Sequence, residues 1–183
     1  RYPNLIIHLR FTDQFSSLTE EHIDIALRIG KLEDSSLIAR KLTQPQWATV
    51  ASPAYLAKHG TPKCPTELRS HRCLKFHSIR GTSKDWVFKG KGKNTVERVR
   101  VPLHFGVDQG EMLVEGAIAG MGITQAFDFM VKDHIHSGKL IELLPSYAIS
   151  GPPIHALCGP GQQNATRIRV LMDFLTESFP KAN

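Results

Sequence analysis

The sequence predicts an α/β protein divided into two lobes. Short β-rich runs alternate with helix-forming segments along most of the chain, the pattern of sheets flanked by helices. Between residues 74 and 101 the texture changes to closely spaced short strands, a β-rich insert that splits this alternation in two. The chain has 183 residues, 41% hydrophobic and 22% charged. That is enough apolar material for one full core or two smaller ones, and too much for a disordered chain.

Residues 5–11 (LIIHLRF) and 23–29 (IDIALRI) read as strands, followed by two more at 36–42 and 47–52 with a turn at Gln44-Pro45 between them. Ser52-Pro53 opens a helix over 53–59: a hydroxyl in the cap, proline in the first turn, and Gly60 at the end. Pro62 and Pro65 make the next segment a loop, with a single helical turn at 66–70. Strands are expected at 74–76, 86–89 and 95–101. Asp108 then caps a helix, with Glu111 at the capping-box distance and Met112, Leu113, Ala117 and Met121 near helical spacing before Gly120 and Gly122 end it. A short buried strand at 123–124 leads to a helix at 128–136, closed by Gly138, and strands at 139–144 and 154–158. The last helix, 166–179, carries an apolar stripe of Ile168, Leu171, Met172, Leu175 and Phe179. Sheets connected in this way are expected to be mainly parallel.

The net charge of +6 is local. Between Arg80 and Arg100 lie seven basic residues against Asp85 and Glu97, so this ribbon holds five of the six excess charges. Its Gly-Lys-Gly-Lys stretch reads as the solvated tip of a hairpin. The alternative is weak, salt-dependent phosphate contact through Lys89, Lys91 and Lys93. With no recognition helix to assign, sequence-specific DNA binding by these residues is not expected.

Three cysteines (Cys64, Cys73 and Cys158) form no disulfide framework, and the odd number fits a reducing compartment, so the cytoplasm is predicted. Uncharged apolar runs such as 47–53 and 116–127 are shorter than the ~20 residues of a membrane helix. No GxGxxG, Walker, HExxH, GxSxG or CxxC motif occurs. His71, Cys73 and His77 lack a fourth partner at metal-site spacing. No enzyme activity, cofactor or metal is predicted.

A set of motifs then occurs in order: residues 23–30 (IDIALRIG), 34–42 (DSSLIARKL) and 51–56 (ASPAYL) with Gly60; Leu68, His71, Cys73 and Leu74; Trp86 and Phe88; 117–123 (AIAGMGI); and 138–140 (GKL). Each alone is a strand, a helix start or a turn. Together they resemble the effector-binding domain of LysR-type transcriptional regulators, over the whole chain. The resemblance implies two Rossmann-like lobes joined by two crossing strands, a fold like that of type II periplasmic binding proteins. Lobe I would comprise residues 1–75 plus 157–183 and lobe II residues 76–156, with crossings near 74–76 and 154–158. Against the family pattern, the first strand and helix of lobe I and the N-terminal helix-turn-helix are absent from the sequence. The loop after Gly122-Ile123 has Gln125 and Phe127 where the family often has a proline.

The function implied is sensing of a small molecule in the cleft between lobes by a cytoplasmic, homodimeric regulator, tetrameric where the full-length protein demands it. Contact with DNA would run only through the absent helix-turn-helix, with no membrane contact. The alternative is a stand-alone solute receptor of the same fold. A lobe without its first strand also presents unpaired backbone groups, which favours self-association. Ligands of open α/β sheets lie at strand C-terminal ends, which selects Arg28, Ser52, Gly106, Val107, Asp108, Thr124, Gln125 and Phe127 as effector contacts. The expected effector is small, polar, and anionic or zwitterionic, with Arg28 as its cation.

Overall fold

The computed structural model describes residues 2–11, 18, 22–30, 32, 36–77, 85–92 and 94–179. The elements run β1 (Ala26–Ile29), β2 (Ile38–Thr43), β3 (Trp47–Ala51), α1 (Pro53–His59), a 3-10 helix (Pro65–Ser70) and β4 (Cys73–Phe76). Next come β5 (Trp86–Lys89), β6 (Val96–Val99), β7 (Phe105–Val107), α2 (Gly110–Ile118), β8 (Ile123–Phe127) and α3 (Asp128–His136). The chain continues through β9 (Ile141–Leu143), short 3-10 turns at Pro145–Tyr147 and Gln162–Asn164 on either side of β10 (Ile154–Cys158), and α4 (Thr166–Ser178).

The chain forms two compact units, Arg1–Pro45 with Pro152–Asn183, and Gln46–Gly151. The first unit holds a three-stranded antiparallel sheet ordered β1-β10-β2. Ile168 and Met172 of the α4 stripe pack with Leu42, Ile154, Ala156 and Cys158 in one core. Exposed ion pairs Arg40–Asp173 (2.7 Å) and Arg167–Asp24 (3.2 Å) link α4 to this unit, each contributing under about 1 kcal/mol.

The second unit holds a five-stranded sheet ordered β7-β4-β8-β3-β9. Strand β4 runs parallel to β7 and β8, while β3 runs antiparallel to β8 and β9. Side-chain alternation divides this sheet into two faces. Ala48, Val50, Leu74 and Ala126 pack with Leu113, Val114 and Ala117 of α2 and Val131 of α3. Ala51, Cys73, Ile123 and Leu143 pack with Tyr55 and Leu56 of α1, Leu68, and Trp86, Phe88 and Val99 of the β5–β6 hairpin.

Local signals explain the joints of this unit. The Ser52 hydroxyl accepts the Tyr55 N–H (3.3 Å), as expected of an N-cap. The Tyr55 hydroxyl accepts the Arg72 N–H (2.9 Å) and bonds His71 Nδ1 (3.1 Å), tying α1 to the entry of β4. Burial raises the Tyr55 pKa above the ordinary tyrosine value, so the phenol keeps its proton. Burial, with the nearby His59 second, lowers the His71 pKa, so the imidazole is neutral and accepts that proton. Gly120 has φ of +80°. A Cβ on Gly122 would lie 2.4 Å from the Arg72 carbonyl oxygen, so the close approach of the β4 entry admits only glycine there.

Several expectations differ from the structure. Residues 5–11 form no paired strand, and Ile6, Leu9 and Phe11 are exposed; without a neighbouring ladder, β propensity alone does not make a strand. The sheets are antiparallel or mixed, because β3 enters the second sheet through antiparallel pairing. The units divide at Pro45/Gln46 and Gly151/Pro152, not at 75/76 and 156/157. Strands β3 and β4 share one sheet, so residues 46–75 belong with the second unit. By the same token 74–76 and 154–158 lie within single sheets and are not the crossings. Asp108 does not cap α2: Val107 is held in β7 opposite Phe76, the N-cap is Gln109, and no side chain bonds the first turn.

Candidate functional site

Sheet register locates the site. Strands β4, β7 and β8 all run toward one edge of the second unit's sheet, ending at Phe76, Val107 and Phe127. There α2 and α3 begin, each without a side-chain bond at its N-cap, so partly positive N–H groups gather at this edge. The Asp128 carboxylate accepts the Phe129 N–H (2.9 Å) at the start of α3. Trp47, whose strand starts where β8 ends, stacks on Phe127 (centroids 4.3 Å apart), and Phe127 stacks on Phe129 (5.7 Å). The His77 N–H donates to the Val107 carbonyl (2.9 Å). Its Nδ1 is buried and has no hydrogen-bond partner among the described residues. A Cβ on Gly106 would lie 3.2 Å from the His77 Cβ, so glycine admits that ring.

The expected contacts fall into four groups. Gly106, Val107, Asp108 and Phe127 lie together at this edge. Thr124 and Gln125 sit further back in β8, with their polar atoms engaged in the fold. The fully buried Thr124 hydroxyl donates to the Leu74 carbonyl (3.0 Å). The Gln125 side chain clamps β5, its Oε1 accepting the Val87 N–H (3.2 Å) and its Nε2 donating to the Val87 carbonyl (3.0 Å). Ser52 lies at the opposite end of the sheet: Trp47 faces Phe127, and Ser52 follows five positions later, roughly 17 Å along the strand. Its hydroxyl is buried in its capping bond. Arg28 belongs to β1 of the first unit, opposite His155.

Sequence reasoning missed His77, Trp47 and Phe129. His77 directly follows a predicted strand, so the strand-end rule points to it. Trp47 was hidden because that rule selects the end of a strand, and in an antiparallel strand the start faces the site. Among the described residues no three His, Cys, Asp or Glu side chains form a metal cluster, and no helix is long and apolar enough to cross a membrane.

A sheet with helix starts and strand ends converging on one edge is the arrangement in which open α/β domains bind small ligands. The model of the LysR substrate binding domain matches residues 1–180, and the chain belongs to that family. It is 37% identical over 180 residues to the HTH-type transcriptional regulator CrgA of Neisseria meningitidis, covering 98% of this chain and 59% of that protein. It is 31% identical over 174 residues to the HTH-type transcriptional activator TtdR of Escherichia coli, covering 95% of this chain and 55% of the activator. The solved CrgA regulatory domain superimposes with a TM-score of 0.78 at 36% identity, over 88% of this chain and 78% of that one. Full-length AphB, a Vibrio cholerae virulence activator of the LTTR family, gives 0.78 at 28% identity, over 98% of this chain and 60% of AphB. The chain thus spans somewhat over half the length of the curated relatives it matches. These relatives are transcriptional regulators, not stand-alone receptors.

Proposed function

We propose that this chain is the effector-sensing part of a transcriptional regulator, and that a small polar molecule, anionic or zwitterionic, binds at the sheet edge formed by His77, Gly106, Val107, Asp108 and Phe127. The observation that carries the reading is the buried His77 Nδ1, without a partner among the described residues, at the same sheet edge as two helix starts and an aromatic stack. A buried polar atom without a partner costs about 1–3 kcal/mol, which a ligand hydroxyl or ammonium donor would recover. The aromatic rings supply apolar surface, and the start of α2 favours a carboxylate, that of α3 being served by Asp128. Arg28, the cation expected from the sequence, belongs to the other unit and is tested separately. DNA contact and the homodimer belong to the whole protein in this reading, and the chain itself is non-catalytic. Three thiols without a disulfide, Cys73 and Cys158 buried, suit a cytoplasmic setting.

The test is a thermal-shift screen of small carboxylic and amino acids, followed by calorimetry of each stabilising compound on wild type, Phe127→Ala and Arg28→Ala. The reading expects saturable binding that weakens at least about tenfold in Phe127→Ala. Equal affinity in wild type and Phe127→Ala would sink the edge as the site; equal affinity in Arg28→Ala would remove Arg28.

A further inference from the structure

The second unit contains a buried lysine that neither the fold nor the sheet-edge site uses. Lys75 is the third residue of β4 and only 5% exposed. It shares a face with Cys73, against the β5–β6 hairpin core of Trp86, Val99 and Val101. A lysine in such a place normally has a counter-ion, because an unpaired buried ammonium costs several kcal/mol. Lys75 pairs with Gly106 through its backbone, while its side chain shows no hydrogen bond and no ion pair among the described residues. Cys73, on the same face, offers no compensation, since burial pushes its thiol up to about 12 and it stays uncharged.

Lys75 lines a cavity of about 460 Å³ together with Asp85, Arg100, Val101, Pro102 and Leu103. Asp85 and Arg100 sit one residue beyond the Trp86–Val99 pair, at the open end of the hairpin. The cavity therefore holds two cations and one carboxylate, with Val101, Pro102 and Leu103 as its wall. Its volume suits a small organic molecule and exceeds what a bare inorganic ion fills.

We propose that this cavity is a second binding site, selective for a small organic molecule bearing an oxyanion group, which Lys75 and Arg100 hold between them. Lys75 supplies a partly desolvated charge that strengthens the contact, and Arg100 supplies a planar pair of donors from the rim. Asp85, also in the lining, accepts a donor on its side. The site does not rest on the effector reading, for its residues lie on the hairpin side of β4 and exclude Phe127 and Arg28.

The test is calorimetry with succinate and with inorganic phosphate on wild type, Lys75→Met, Arg100→Gln and Phe127→Ala. Saturable binding of either probe by wild type is expected, with succinate alone assigning a carboxylate ligand and phosphate alone a phosphate-bearing one. Affinity falls at least about tenfold in Lys75→Met, which keeps the stem but not the charge. It falls in Arg100→Gln as well, at an exposed position where folding is unaffected, and is unchanged in Phe127→Ala. No saturation by either probe, or wild-type affinity in Arg100→Gln or Lys75→Met, overturns the site. A probe lost in Phe127→Ala but retained in Lys75→Met belongs to the sheet edge and likewise overturns it.

Discussion

The first unit leaves Leu27, Ile29 and Ile38 of its strands two-fifths or more exposed, and gathers its core under one helix. The second unit covers both faces of its sheet and locks the joints with side-chain to backbone bonds from Tyr55, Thr124 and Gln125. Stability and chemistry are therefore distributed differently. In the second unit the packed faces leave little freedom, and what remains open is an edge of strand ends and helix starts. The first unit has one core and exposed apolar strand residues, so single strand substitutions there should matter less.

Gly122→Ala should widen the contrast most. The new Cβ meets a backbone carbonyl at 2.4 Å, which no rotamer relieves, and a loss of about 3 kcal/mol in urea unfolding is expected. A loss below about 1 kcal/mol would mean that the β4 entry is not held as described. Tyr55→Phe should follow, at about 2 kcal/mol, because it removes a hydroxyl serving both the Arg72 N–H and His71. Calorimetric melting of the two proteins side by side decides this.

The His71 imidazole gives the same joint a pH dependence. Its folded pKa lies below the ordinary value of 6.5, so the unfolded chain binds the proton first as pH falls. The stability it contributes is complete above about pH 6.5 and declines below it, until the folded pKa is reached. Urea midpoints at about pH 7.5 and about pH 5.5 should differ less in His71→Gln than in wild type. The smallest effect is expected in the first unit. Leu27→Ser, half-exposed at 50%, should change stability by no more than about 0.5 kcal/mol, and a large loss would show that this strand is better buried than its exposure indicates.

Much of the fold was legible because local signals agree with it. Ser52-Pro53 and Gly60 bound α1, Gly138 closes α3, and β5 and β10 fall on the expected residues. Strand direction was not legible, since hydrophobic pattern is the same in parallel and antiparallel strands. That one ambiguity moved the unit boundary by some thirty residues and left Ser52 at the end of the sheet opposite Phe127. Asp108 was read as a cap because the Asp-to-Glu spacing is right; Val107 pairs with Phe76, and the cap falls one residue later, at Gln109. The strand-end rule selected Gly106, Val107 and Phe127, which lie at the edge where β7 and β8 end. Thr124 and Gln125 obey the same rule by position, but the carbonyls that engage them come from Leu74 and Val87, contacts that sequence spacing does not contain.

Hydrogen exchange on the chain with and without a stabilising acid from the thermal-shift screen tests the sheet-edge site most directly. Slowed exchange concentrated in 76–77, 105–110 and 127–130, with α1 and the strand ends beside Ser52 unchanged, is the predicted result. Slowing centred on α1 and residues 138–143, with the edge unaffected, would contradict it.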